Sequence, residues 1–130
     1  LGAERVKGAY AFKQLLQQNN WIPLGTDFPV EDISTFKTFY AATIRKDAKG
    51  WPDNGYQMEN ALSREEALRG MTIWAAKANF EEKEKGSLEK GKFADFVILD
   101  SDIMKEVQEK LLSIKVLQTF LNGEKVFEKK

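Results

Sequence analysis

The chain contains no cysteine and no histidine. The first absence excludes disulfides, thiolate catalysis and cysteine-based zinc sites. The second removes the commonest metal ligand and the commonest general base near neutral pH. A Ser-His-Asp triad cannot be assembled from these residues. Any catalysis by the chain itself rests on carboxylates, Lys, Tyr or groups supplied from elsewhere. An excess of charge of either sign is also missing, since 20 Lys and Arg balance 20 Asp and Glu. No basic or acidic face therefore points to nucleic acid or to a membrane surface. No apolar run approaches the roughly 20 residues that span a bilayer. The N-terminus, Leu1-Gly2-Ala3-Glu4-Arg5, has neither the form of a signal peptide nor an initiator Met. We expect a processed, truncated or excised chain. This portion carries no targeting segment, which leaves location open with the cytoplasm favoured.

What is present suits one globular domain with a moderate core: 130 residues, 42% apolar and 31% charged. Residues 4–18 read as an amphipathic helix, with Val6, Ala9, Tyr10, Phe12, Leu15 and Leu16 on one side. Residues 21–25 read as a short buried strand, weakened by Pro23, which has no N–H for a ladder. Asp32 or Ser34 caps a helix over 35–46, whose stripe is Phe36, Phe39, Tyr40, Thr43 and Ile44. The stretch 48–61 is a loop rich in Gly and aromatics, either a substrate lid or a loop pinned to the body by those rings. Ser63-Arg64-Glu65-Glu66 has the form of a capping box for a helix running to about Glu82, with Gly86 in the C′ role. Phe93–Asp100 reads as a strand covered on both faces, 102–112 as a short helix and Ile114–Leu121 as a second strand. Asn122-Gly123 has the type I′ preference of a two-residue hairpin, with Lys125-Val126-Phe127 returning.

The stretch Gly25-Thr26-Asp27-Phe28-Pro29-Val30 carries the functional question. Asp27 at a strand end is either a turn device, accepting backbone N–H bonds as an Asx-turn, or part of an active site.

Its context bears on the choice. Gly25-Thr26-Asp27-x-Pro29 is followed by a capped helix and then by Ser63-x-Glu65-Glu66-Ala67-Leu68-Arg69. The run Gly86-Ser87-Leu88-Glu89-Lys90-Gly91-Lys92-Phe93-Ala94-Asp95-Phe96-Val97-Ile98-Leu99-Asp100 comes next. Together these closely resemble the C-terminal part of amidohydrolase-superfamily enzymes. With Ala9-Tyr10-x-Phe12 and Arg45-x-Asp47-x-x-Gly50-x-Pro52, the pattern is most similar to the YtcJ-like, amidohydrolase-3 branch. Some members of that branch are named exoenzyme regulatory protein. The resemblance implies an α/β fold, a C-terminal fragment of a TIM-like (β/α)8 barrel plus part of a small composite β-sandwich. Residues 1–84 would be the last barrel portion and 85–130 the partial sandwich.

The resemblance places Asp27 at the C-terminal end of the last barrel strand, where such barrels put their chemistry. There it would contact a divalent metal, zinc in the parent, and carry a proton from the metal-bound water to the leaving group. Asp95 falls in a structural signature and is expected to accept hydrogen bonds where its strand begins. Arg45 and Trp51 are the candidates for contacting a small-molecule substrate. The family's His-x-His pair and its later His ligands have no counterpart, and one carboxylate does not hold a catalytic zinc. The resemblance therefore implies a metal in the full-length parent, none in this chain, no activity from the chain alone, and self-association of its uncovered surfaces. Two rival readings are a non-catalytic regulatory or interaction domain that keeps the fold signature, and a carbohydrate-binding module using Trp51, Tyr56 and Trp74.

Overall fold

The structure, a computed structural model, describes residues 2–130. Five helices come first: α1 (Ala3–Val6), α2 (Phe12–Asn19), α3 (Thr35–Ile44), α4 (Arg64–Met71) and α5 (Ile73–Ala78). An antiparallel sheet follows, in the order β1 (Phe96–Leu99), β2 (Val116–Leu121) and β3 (Glu124–Glu128). Leu16, Phe39, Tyr40, Ala42, Leu62, Ala67, Leu111 and Ile114 form the core cluster. Leu111 and Ile114 come from the segment between β1 and β2, so the sheet is tied to the helices through the same cluster that buries α3. The helix stripe expected for α3 is the one buried: Phe39 is 1% exposed and Tyr40 8%.

Local signals that pair a residue with its near neighbours hold. Ser63 Oγ accepts from the Glu66 N–H at 3.2 Å, and the Glu66 carboxylate accepts from the Ser63 N–H at 2.7 Å, closing the capping box. Glu66 also takes Lys13 Nζ from α2, which docks α2 on the start of α4. Asn122 and Gly123 have φ 49° and 81°, as a type I′ hairpin requires, between β2 and β3. Asp95 Oδ1 accepts the Asn122 N–H at 2.7 Å, and the Ala94 carbonyl accepts the Gly123 N–H at 2.9 Å. The carboxylate thus anchors the strand entrance to the hairpin tip, as expected.

Several expected elements differ. The helix over 4–18 is two helices. Tyr10 adopts a left-handed φ of 58°, and Gln57 Nε2 donates to the Val6 carbonyl at 2.8 Å, satisfying the end of α1 from outside. The helix expected to run to Glu82 breaks at Thr72, whose hydroxyl donates to the Leu68 carbonyl at 2.7 Å in place of its own N–H. It then ends at Ala78 rather than near Gly86. The Phe80 and Glu81 N–H groups turn back to the Lys77 and Ala76 carbonyls, with Phe80 left-handed at φ 60°, which is a Schellman closure. Gly86 instead approaches α5, where a Cβ would lie 2.8 Å from the Ala76 Cβ.

Residues 102–112 do not form an α-helix. The chain makes a single turn at Asp102, but the Glu106 carboxylate takes the Val107 N–H and Arg64 Nη1 donates to the Ile103 carbonyl that this N–H would have met, so only a 3₁₀ segment over Gln108–Ser113 follows. In β1 neither face is fully covered, since the adjacent Val97 and Ile98, which point to opposite faces, are 50% and 42% exposed. Phe96 stacks on Phe120 of β2 with ring centroids 4.5 Å apart, but no second layer covers the strand among the described residues.

The expected strand at 21–25 joins neither a sheet nor a helix. Its Leu24 N–H donates to the Gly70 carbonyl of α4 at 2.9 Å. A strand needs an adjacent ladder, and here the neighbour is a helix. Gly70 makes the approach possible, because a Cβ there would sit 2.7 Å from Leu24 Cγ and 3.1 Å from the Ile22 carbonyl. Exchanging a mid-helix Gly for Ala ordinarily stabilises by about 0.5–1 kcal/mol. Here overpacking of about 1–3 kcal/mol outweighs that gain. Gly70→Ala is therefore expected to lower the denaturant midpoint; a raised midpoint would show that the 21–24 segment does not depend on this contact.

Candidate active site

Three segments meet around a cavity of about 720 Å³: the turn from Gly25 to Asp32, one side of α3 and the loop from Arg45 to Tyr56. The turn is built by Thr26, not by Asp27. Thr26 Oγ1 accepts the Phe28 N–H at 3.3 Å, and the Asp27 carbonyl accepts the Val30 N–H at 2.8 Å. Asp27 has a left-handed φ of 54°, a conformation Asp tolerates better than most residues. Its carboxylate is exposed and, among the described residues, neither accepts a hydrogen bond nor joins an ion pair. The Asx-turn reading required that carboxylate to hold the turn, and it does not.

Of the neighbouring acids on the cavity, Asp32 and Asp47 are engaged, while the exposed Glu31, like Asp27, has no partner among the described residues. Asp32 receives Lys37 Nζ at 2.8 Å and the Ser34 N–H at 2.8 Å, and these bonds, Lys37's first, hold its pKa below the ordinary value. Asp32 rather than Ser34 therefore anchors the entrance to α3, since the Ser34 side chain makes no cap bond. Asp47 Oδ1 accepts the Trp51 N–H at 3.0 Å and the Lys49 N–H at 2.8 Å, and these bonds hold its pKa down in the same way.

Arg45 lies one residue beyond α3 rather than in its last turn, with φ 58°. It and Tyr56 clamp the loop reciprocally. The Tyr56 N–H donates to the Arg45 carbonyl at 2.8 Å, and Arg45 Nε donates to the Tyr56 carbonyl at 2.8 Å. The guanidinium lies 5.4 Å from the Phe12 ring centroid and 5.5 Å from that of Tyr56. Burial pushes its pKa below the ordinary value.

The structure brings Asp27 and Arg45 to one cavity and leaves Trp51 out. Trp51 is 70% exposed at the loop tip, while Tyr56 is the loop aromatic that faces the cavity. Trp74 packs against the core cluster, away from both. Tyr10, which the Ala9-Tyr10-x-Phe12 motif contains, and Lys37, which no sequence pattern singled out, also line the cavity. The only local signal for Lys37 was its spacing from Asp32.

No group of three or more His, Cys, Asp or Glu among the described residues could hold a metal ion. With Asp32 and Asp47 engaged, the acids at this cavity do not make the three-ligand set a catalytic zinc needs. These residues by themselves do not fit a metal centre.

The Asp47 bonds give a pH expectation. A folded pKa below the ordinary 3.8 means that the carboxylate's contribution is present above that value and lost as pH falls through the folded pKa. Amide-exchange protection of Lys49 and Trp51 should therefore be constant near neutrality and fall on acidification below pH 3.8. Protection that survives full protonation would remove Asp47 as the tie of this loop.

A family model described as the amidohydrolase family matches residues 1–127. The chain is 39% identical over 128 residues to Protein LONG AFTER FAR-RED 3 of Arabidopsis thaliana, covering 98% of the chain and 21% of that protein. It is 29% identical over 129 residues to the putative amidohydrolase YtcJ of Bacillus subtilis (strain 168), covering 99% and 24%. It is 29% identical over 114 residues to the N-substituted formamide deformylase of Arthrobacter pascens, covering 88% and 20%. The chain thus spans between a fifth and a quarter of the length of these relatives. A crystal structure of an amidohydrolase from Thermotoga maritima MSB8 superimposes with a TM-score of 0.64 at 22% identity, over 92% of this chain and 26% of that one. That likeness speaks for the α/β amidohydrolase fold alone. The family matched is the one the strand-end Asp27 motif and the Lys92-Phe93-Ala94-Asp95 signature resemble, and the chain belongs to the amidohydrolase family.

Proposed function

We propose that this chain is the C-terminal portion of a metal-dependent hydrolase that acts on an amide or other non-peptide C–N bond. In that protein it supplies the last part of a TIM-like barrel and part of a composite β-sandwich, and Asp27 carries the proton. One observation carries the reading: the Asp27 carboxylate borders a cavity unpaired, while Thr26 does the work of the turn. A carboxylate held out this way is available to chemistry, because its loss would cost the fold little. The relatives' names support the bond class, since one is an N-substituted formamide deformylase and another a putative amidohydrolase.

In this reading Asp27 accepts a proton as water attacks the acyl carbon and returns it to the departing nitrogen, acting as base and then acid. The cation such enzymes use would be held by groups outside these residues, and its chemistry is to polarise the acyl oxygen. The chain's own contribution is proton transfer at Asp27 and a wall of the substrate cavity. Separated from the rest of the protein, these residues would be inactive.

Asp27→Asn tests the role in the full-length protein. Asn tolerates the left-handed backbone as Asp does, so the turn is expected to survive while turnover of a C–N substrate falls by about 100-fold or more. Unchanged turnover would remove Asp27 from the mechanism. The same reading expects the 130 residues alone to self-associate through the half-exposed Val97, Ile98, Val126 and Phe127. A monomer in sedimentation at micromolar concentration would count against it.

A further inference from the structure

Arg45 is a buried cation without an anion. It is 6% exposed, and among the described residues no Asp or Glu pairs with it. Nε is engaged by the Tyr56 carbonyl, two aromatic rings lie against the guanidinium, and Nη2 is buried with no partner. Buried charges in proteins are normally paired, because a charge taken out of water without a partner is costly. Of the acids nearby, Asp32 is bonded to Lys37 and the Ser34 N–H and Asp47 to two loop amides, while the exposed Glu59 acts on Arg45 only through its charge and forms no ion pair with it among the described residues. The Tyr56 clamp holds the guanidinium in one orientation, so an incoming group need not order it. A planar guanidinium with a free edge matches a carboxylate better than any neutral group.

We propose that Arg45 seats the carboxylate of the substrate, so that the substrate class is a small N-acyl amino acid or a similar C–N compound bearing a carboxylate. This rests on the reading that the cavity bordered by Asp27 is where the C–N bond is cut. The carboxylate meets the guanidinium edge as the Tyr56 ring turns aside, and the bond to be cut lies toward Asp27 on the same cavity. Arg45 in this role binds and orients; it takes no part in proton transfer. The competing anion is an acidic side chain from elsewhere in the protein, which would close the same edge permanently and leave no seat for a ligand.

The test uses the full-length protein and two isosteric probes, phenylacetate and phenylacetamide, with binding read by calorimetry. The wild type should bind phenylacetate about tenfold more tightly or better. Arg45→Gln should erase that preference by weakening phenylacetate more than phenylacetamide, while Arg45→Lys should keep part of it. On N-acetylphenylalanine and its carboxamide, Arg45→Gln should raise KM for the acid more than for the carboxamide. The absence of a carboxylate preference in the wild type overturns the proposal, and this measurement decides even where Arg45→Gln fails to fold. Equal losses on both probes in a folded Arg45→Gln also overturn it, by making Arg45 a loop clamp only. Carboxylate preference without C–N hydrolysis would leave the seat standing and remove the hydrolase reading. Hydrolysis of neutral amides without preference would do the reverse.

Discussion

The Leu24 N–H donates to the Gly70 carbonyl, and the missing side chain at Gly70 is what lets the two backbones come that close. The segment from Trp21 to Thr26 belongs to no sheet, so it has no ladder to hold it. Its position comes from this bond and from Ile22 and Leu24 packing against the core cluster. Pro23 between them has no N–H that would be left bare. The turn that carries Asp27 starts where this contact ends. A one-methyl change on α4 therefore bears on the candidate site more directly than a change on the exposed turn itself.

The remaining forces can be ranked by size. Burying Phe39 contributes on the order of 2–3 kcal/mol of transfer free energy. The surface ion pairs contribute little; Lys7 and Glu4, with side chains 69% and 86% exposed, are screened and mobile. Backbone captures by short acids lie between these and do most to shape the cavity rim, as Asp32 does before α3 and Asp47 in the loop. Each replaces a backbone donor's lost water with a charge-assisted bond. Arg45 is the buried rim charge left incomplete, since its loop clamp uses Nε and leaves Nη2 bare.

The distribution of chemistry across the family's fold follows from the same accounting. Within a fifth to a quarter of the relatives' length, the chain carries two unengaged carboxylates, Asp27 and Glu31, and one buried cation at a single cavity. It carries no cluster of ligands for a metal among the described residues. Proton transfer and substrate orientation need one well-placed group each. A metal centre needs three or more groups converging from different elements, and no such convergence occurs here. The incomplete coverage of β1 belongs to the same picture, since Val97 and Ile98 expose apolar surface on both faces of the strand.

Patterns whose partners lie within a few positions were legible in the residues alone. The Ser63 capping box, the Asn122-Gly123 hairpin, the α3 stripe and the family signature all belong to this group. Each is a short-range pairing, or a run of residue types, that no distant contact can overrule cheaply. The misread elements were those that distant partners override. α1 is ended by a bond between positions 51 apart in sequence, Gln57 to Val6. The unladdered strand leans on Gly70, and the burial of Arg45 depends on Phe12 and Tyr56 closing over it. Asp27 could be nominated from its strand-end motif. That its carboxylate stays unengaged depended on Thr26 taking the turn, and that Trp51 faces away depended on Asp47 folding the loop. Those outcomes follow from hydrogen-bond competition in three dimensions, where equivalent donors and acceptors are separated by geometry and not by residue type.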